Sequence, residues 1–453
     1  MRVDIIKQDG KLSLANLQCG CKYSHSIPEL DIYIKRGLAD GCPDYAAEAG
    51  LGRNVLIVAD EVTYDIAAER IAARLKGAGY SCRTCVLPGS SVEPTPENAE
   101  YILSGATGAD FLLGVGSGVI TDLTRRAAVL SGLPFAVFGT AASMDAYTSV
   151  TSAMIIGGIK KTVYGKAARL LMFDPAVIAS APMDMQASGV GDMFAKYNVL
   201  VDWQLGNAVI GETYCPLCES LITTALDTAS SNIEDIAKRT EKGAEALIEA
   251  LILGGFTILI VGDTRPCSSL EHNMAHFWDM SHIAYGTPHI PHGTGAGLGL
   301  VYALILHDAL KNADLSKLDK DVIKSRRISK ERQAARIKSY YPPGVGEEVM
   351  ASNKYWYLEW PEQERHIENI LAYYGEYRRQ CENLPSYRDI INTFELFGAP
   401  ASAVKAGLGI DMLRKTLFAA KDFRPRYNVA KALDELGLFE QAVQRILEME
   451  PTL

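Results

Sequence analysis

At 453 residues, 48% hydrophobic and 22% charged, the chain is too long for one ordinary core and has the composition of a folded protein of two or three domains. A formal charge of −9 excludes non-specific nucleic-acid binding, which needs clustered Lys and Arg to displace counterions. The N-terminal MRVDIIKQDGKLSL has no apolar leader or small-residue cleavage pattern, and no apolar run approaches the ~20 residues of a membrane span. A cytosolic protein without membrane insertion is therefore expected.

The first part of the chain alternates short apolar runs with helical patterns. Asn54–Ala59 (NVLIVA) reads as a strand ending at Asp60, followed by an amphipathic helix over Tyr64–Gly79. Cys82–Leu87 is the next strand, and Pro96–Ser104 a helix with Thr95 as its N-cap. Phe111–Val115, Phe135–Phe138 and Leu170–Phe173 continue the strand series. Strands alternating with helices of this length predict a parallel α/β sheet over residues 1–182. Beyond Pro182 the periodicity is helical, with breaks expected at Gly254–Gly255, Asp263–Pro266, Gly286–Gly297 and Tyr341–Gly346, so residues 183–453 are expected to form an all-α domain. The aromatic run YWYLEW (Tyr355–Trp360) reads as core or subunit interface.

Nine cysteines, an odd number without a leader, are expected to be reduced thiols. The close pairs Cys19/Cys21, Cys82/Cys85 and Cys215/Cys218 lack the two matched knuckles of a structural zinc site, so packing is favoured over metal–thiolate binding.

Four segments carry chemistry. GVGSGVITD, Gly114 to Asp122, joins an apolar strand to a helical pattern; its glycines would let backbone approach a phosphate at the helix N-terminus. It departs from G-x-G-x-x-G because the third glycine comes one residue early, and a ligand-free tight turn explains it equally well. GTAASMDAYTS, Gly139–Ser149, also follows a strand and gathers Thr140, Ser143, Asp145 and Ser149 at the sheet edge where open α/β folds bind ligands, although helix capping is an equal reading. Five of the eight histidines fall between His272 and His292, a density that points to metal or proton-transfer chemistry. His272 and His276, at i and i+4, share a helix face; His289 and His292 flank Pro291 on a loop or helix entrance. In SGVGDMFAKY, Asp192 is read as entering a helix, either as a dipole-favoured carboxylate or, beside two neutral imidazoles, as a metal ligand.

These segments, and above all TAASMDAYTSVTSAMI, GVGDMFAKYNVLVDWQLG and EHNMAHFWDM followed by HGTGAGLGLVYAL, resemble the iron-containing alcohol dehydrogenase and dehydroquinate-synthase superfamily, nearest its bacterial sn-glycerol-1-phosphate dehydrogenase branch. The likeness extends from LIVAD to DFRPRYNVAKALDELGL. It implies an α/β dinucleotide-binding domain with a parallel sheet and an all-α, dehydroquinate synthase-like C-terminal domain. NAD(P)H would be bound by Gly118, Val119, Ile120, Thr121 and Asp122, by Thr140, Ala141, Ala142 and Ser143, and with help from Asp60 and Ser149. Asp192, His272 and His292 would hold one divalent metal (zinc, nickel or iron), Asp145 would touch the substrate or nicotinamide, and His276 would reach the substrate. The implied reaction is the reversible reduction of dihydroxyacetone phosphate to sn-glycerol 1-phosphate. Lys160 and Lys161 are candidates for the phosphate, an ordinary solvated turn being the other reading.

Departures from the superfamily pattern are Ser117 where glycine is common, Arg125 where Lys is common, and a long charged stretch from about Asp314 to Glu382. A homo-oligomer is expected. Competing functions are a polyol dehydrogenase on an unphosphorylated diol, a dehydroquinate synthase, and a catalytically silent metal- and nucleotide-binding regulator.

Overall fold

The computed structural model describes residues 2–89, 92–157 and 159–453. It divides into two compact units, Met1–Met193 with Cys215–Asp263, and Phe194–Tyr214 with Thr264–Leu453. The change of periodicity near residue 182 thus marks where strands end. The helical stretch Cys215–Asp263 nevertheless clusters with the strands, a return that a single boundary cannot express.

The first unit holds an eight-stranded sheet in the order β1-β2-β3-β10-β7-β6-β4-β5. Its strands are β1 (Arg2–Gln8), β2 (Lys11–Gln18), β3 (Asp31–Ile34), β4 (Asn54–Asp60), β5 (Ser81–Leu87), β6 (Phe111–Gly116), β7 (Phe135–Gly139) and β10 (Leu170–Phe173). From β3 to β5 every pairing is parallel; β1, β2 and β3 pair antiparallel at one edge. The central strands β6 and β7 are buried at every residue, which is why they read as unbroken apolar runs rather than alternating ones. A separate hairpin pairs β8 (Thr151–Ile156) with β9 (Ile159–Tyr164).

The crossover helices are α1 (Leu38–Glu48), α2 (Glu69–Gly77), α3 (Pro96–Gly105) and α4 (Gly118–Ser131). The expected helix from Tyr64 begins as a π turn over Tyr64–Ala68 before α2, and Thr95 caps α3 by accepting from the Asn98 N–H at 3.3 Å. After α5 (Met183–Phe194) the chain supplies α6 (Lys196–Ile210) to the second unit, then returns with α7 (Pro216–Ser231) packed along α8 (Glu241–Val261).

Gly254–Gly255 does not break α8. A Cβ on Gly255 would stand 2.3 Å from the Asp145 carbonyl oxygen, so the glycine permits close packing in mid-helix. The other three expected breaks fall between helices, except that residues 292–297 of one and Val345 and Gly346 of another already lie inside the next helix.

The second unit is helical among the described residues. Its centre is the antiparallel-connected pair α9 (Leu270–Tyr285) and α10 (His292–Lys311). The helices α8 and α10 are long and apolar enough to cross a membrane by length and composition, but 89% of each such stretch is buried within the protein. They are core helices of their units. Within the aromatic run Leu358 is buried, while Tyr355, Trp356, Tyr357 and Trp360 are half-buried under cations, with Arg327 stacked on Tyr357 and Trp360 at 5.5 and 5.9 Å.

Candidate active site

In the first unit the chain reverses direction across the sheet at β4: β5 is added on one side and β6 on the other. The carboxyl ends of β4 and β6 on either side of such a reversal are the place where open α/β sheets bind ligands. Asp60 ends β4, and Gly116 ends β6 directly opposite Gly139 of β7. The glycine segment therefore lies where the sequence suggested. Gly118 is the first residue of α4, whose N-cap, Ser117, makes no side-chain capping bond. A helix N-terminus of this kind, reached through glycines, suits a pyrophosphate. A Cβ on Gly118 would come 3.0 Å from Met144 Sδ, the mobile end of a flexible side chain, so the backbone itself tolerates the position.

Several of the side chains expected at the dinucleotide are engaged within the protein. Asp60 caps its own turn, accepting from the Thr63 N–H at 2.7 Å. Ser149 bonds Thr151 through both hydroxyls at 2.8 Å. Asp122 accepts from Arg125 Nη1 at 2.8 Å and from the Ala153 N–H at 3.1 Å; burial pushes its pKa up to about 6 despite the guanidinium. Arg125, fully buried, also donates to the Thr151, Ala146 and Tyr147 carbonyls. This pair pins α4 to the segment that follows β7 and so sets the shape of the loop 140–149. Lys160 and Lys161 lie on β9, opposite Ile155 and Met154, and not on a turn.

Asp192 does not enter a helix. It is the third residue from the end of α5, so the N-terminal dipole does not explain it. Its Oδ2 accepts the Asp145 backbone N–H at 2.8 Å, and both residues are buried. Gly189, one turn earlier, makes this approach possible: a Cβ there would sit 1.9 Å from the Ala142 carbonyl oxygen. Ser188 adds a hydrogen bond to the Ser143 carbonyl at 3.2 Å. The SGVGD segment and the TAASMD loop are thus one packed constellation, with helix backbone laid on loop backbone.

In the second unit three histidines converge. Ring centroids are 6.5 Å apart for His272–His276, 5.4 Å for His272–His292 and 5.1 Å for His276–His292. His292 is the first residue of α10, after Pro291, as the sequence suggested. His282 and His289 pair with each other instead, at 5.2 Å.

Sequence reasoning missed the groups that orient these rings. Glu271 is fully buried and accepts from the Ser269 N–H and from His272 Nδ1, both at 2.7 Å, and from Asn198. Burial, the largest single influence, raises its pKa, but the His272 ring and the backbone N–H donors together outweigh it and the carboxyl ends below its usual range. A carboxylate can only accept, so neutral His272 carries its proton on Nδ1 and presents the Nε2 lone pair, the form in which imidazole ligates a metal. Asp279 Oδ2 lies 3.5 Å from His292 Nδ1, and the donor atoms of His276, Asp279 and His292 lie within 4.8 Å of one another. Arg424 Nη2 donates to His276 Nε2 at 3.3 Å, which leaves the ring proton of neutral His276 on Nδ1. Only Asp279, at i+3 from His276 on a helix, gave a sequence signal for this arrangement.

The parallel sheet followed by a helical unit is the dehydroquinate synthase-like fold of the iron-containing alcohol dehydrogenases. Residues 33–182 match the iron-containing alcohol dehydrogenase family. An iron-containing alcohol dehydrogenase from Corynebacterium glutamicum has the same fold at a TM-score of 0.61 and 14% identity, covering 94% of this chain and 97% of that one. A glycerol-1-phosphate dehydrogenase [NAD(P)+] from Halalkalibacterium halodurans is 35% identical over 308 residues, 67% of this chain and 76% of that protein. One from Bacillus licheniformis is 25% identical over 432 residues, 94% of each. The chain belongs to the glycerol-1-phosphate dehydrogenase family.

Proposed function

We propose that the chain uses NAD(P)H to reduce dihydroxyacetone phosphate to sn-glycerol 1-phosphate, reversibly, with one divalent cation held by Asp192, His272 and His292. Family membership supports the substrate. The observation that carries the metal reading is the buried Glu271–His272 hydrogen bond, which fixes the ligating tautomer of the imidazole. When bound, the cation supplies Lewis acidity toward a carbonyl oxygen and the reduced nicotinamide supplies a hydride.

The chain's own residues would do the following. Gly118 admits the pyrophosphate to its own N–H and to those of Val119 and Ile120 at the start of α4, the Thr121 N–H being already bonded to the Ser117 carbonyl. Asp60, Asp122 and Ser149 hold the surrounding backbone in shape. Thr140, Ala141, Ala142 and Ser143 form the adjoining wall, and Asp145, tied through its N–H to Asp192, sets where substrate meets nicotinamide. His276 orients the substrate and holds at Nδ1 the proton that the product alcohol needs. Arg424, already a donor to His276, is a better phosphate anchor than Lys160 or Lys161.

A second set of ligands, His276, Asp279 and His292, is favoured by the closeness of their donor atoms. Metal stoichiometry separates the two: the first reading expects loss in His272→Ala and retention in His276→Ala, the second the reverse. The function itself is tested by NAD(P)H oxidation at neutral pH with zinc, nickel or iron(II) supplied. Dihydroxyacetone phosphate should be turned over with a far higher kcat/KM than dihydroxyacetone. Equal or better use of the unphosphorylated ketone would make the chain a polyol dehydrogenase.

A further inference from the structure

The loop that leaves β2 and the first turn of α7, both in the first unit, bring together four soft metal-ligating side chains from segments some 190 residues apart. Cys19 and Cys21 follow β2 directly, with His25 one turn of loop beyond, and Cys215 is the N-cap residue of α7. His25 Nε2 stands 3.2 Å from the sulfur of Cys21 and 3.2 Å from that of Cys215, and the Cys19 and Cys215 sulfurs are 4.0 Å apart. All four donor atoms lie within 4.8 Å of one another. A tetrahedral zinc ion, with Zn–S of about 2.3 Å and Zn–N of about 2.0 Å, has ligand-to-ligand edges of about 3.5–3.8 Å. The observed separations bracket those edges.

Neither of the ordinary explanations accounts for the cluster. Packing alone gives no reason to direct three sulfurs and one imidazole nitrogen at a common point, since thiols are weak hydrogen-bond partners. A disulfide needs sulfurs at about 2.05 Å, and these cysteines are free. Cys215, at the N-terminus of a sixteen-residue helix, is placed where the helix favours a thiolate. Cys218, buried one turn on, directs its backbone N–H at the Cys215 sulfur, the kind of outer support that ligating thiolates receive.

We propose that Cys19, Cys21, His25 and Cys215 form a closed site for a thiophilic divalent cation, zinc foremost, which clips the loop after β2 to α7. With four protein ligands the site offers no open position, so its role is structural. It shares no residue with the catalytic metal site.

The test uses the full chain, purified under reducing conditions, stripped of metal and reloaded with cobalt(II). A thiolate site produces a strong sulfur-to-cobalt charge-transfer band in the near ultraviolet, whereas a histidine–carboxylate site does not. We expect this band at one equivalent per chain, kept in the double variant His272→Ala/His292→Ala and lost in Cys19→Ser and Cys215→Ser together with one equivalent of bound zinc. The wild-type spectrum alone decides if the cysteine variants fail to fold. Absence of the band in fully reduced wild type overturns the proposal, as does a Cys19–Cys215 disulfide found by non-reducing peptide mapping of protein isolated without reductant.

Discussion

Replacing Glu271 by Gln tests the metal site through a residue that does not itself ligate. The side chain keeps its size and one carbonyl oxygen, which can still accept from the Ser269 N–H and from His272 Nδ1, each now at 2.7 Å. It loses its charge, and hydrogen bonds to charged groups contribute roughly 1.5–3 kcal/mol against roughly 0.5–1.5 for neutral ones. Across three accepted bonds that is about 3 kcal/mol of stability. The new NH2 would also face the Asn198 amide donor unless that amide turns over. It can do so only by giving up acceptance from His307 Nε2, now at 2.7 Å. His272 would hold its tautomer less firmly, and outer partners of this kind contribute about 10–100-fold to metal affinity. The assay is competition for zinc or nickel against a chromophoric chelator at pH 7.5, corrected for the folded fraction. A lowered melting temperature with wild-type metal affinity would refute the reasoning and move the ligand set to His276, Asp279 and His292.

Gly118→Val should weaken dinucleotide binding at least tenfold by fluorescence titration while the melting temperature falls little, because the nearest neighbour of an added Cβ is the flexible end of Met144; the opposite pattern would make Gly118 a packing residue. His276→Ala should keep metal and dinucleotide but lower kcat/KM for dihydroxyacetone phosphate by about 10²–10⁴-fold, the range for a positioned acid or base, with loss of metal counting against that role. Burial lowers the His307 pKa to about 3, so its neutral form stabilises the fold fully above pH 6.5 and progressively less as pH falls below it. Asp202, raised by burial to about 7, acts in the opposite sense over that interval. In urea titrations the stability advantage of wild type over His307→Gln should therefore shrink by about 2 kcal/mol between pH 7.5 and pH 5; a constant difference would show that His307 does not titrate in unfolding.

The central strands and the glycine turn were legible because full burial on both faces and a strand-to-helix glycine leave local signatures. The first hairpin also had one: Asp9 and Gly10, at φ of 52° and 79°, are the Asp-Gly pair of a tight turn between alternating strands. It went unread because β1 is largely exposed and carries little apolar weight. Gly189 and Gly255 were visible as glycines, but a glycine that breaks a helix and one that admits another backbone look alike until the partner carbonyl is seen. The spacing of His272 and His276 fixed a shared helix face without dividing their roles. The division proposed for them rests on Glu271, an adjacent residue, and on Arg424, far along the chain. The sulfur cluster was illegible for a related reason: its ligands come from two segments, neither of which carries a complete knuckle.

The most direct test of the account is the identity of the product. Metal-replete protein, dihydroxyacetone phosphate and NAD(P)H should yield glycerol phosphate that an sn-glycerol-3-phosphate-specific oxidising enzyme leaves untouched. That result would place the phosphate on the sn-1 carbon, as the family assignment requires. Consumption of the product by that enzyme, or no phosphorylated product at all, would contradict it.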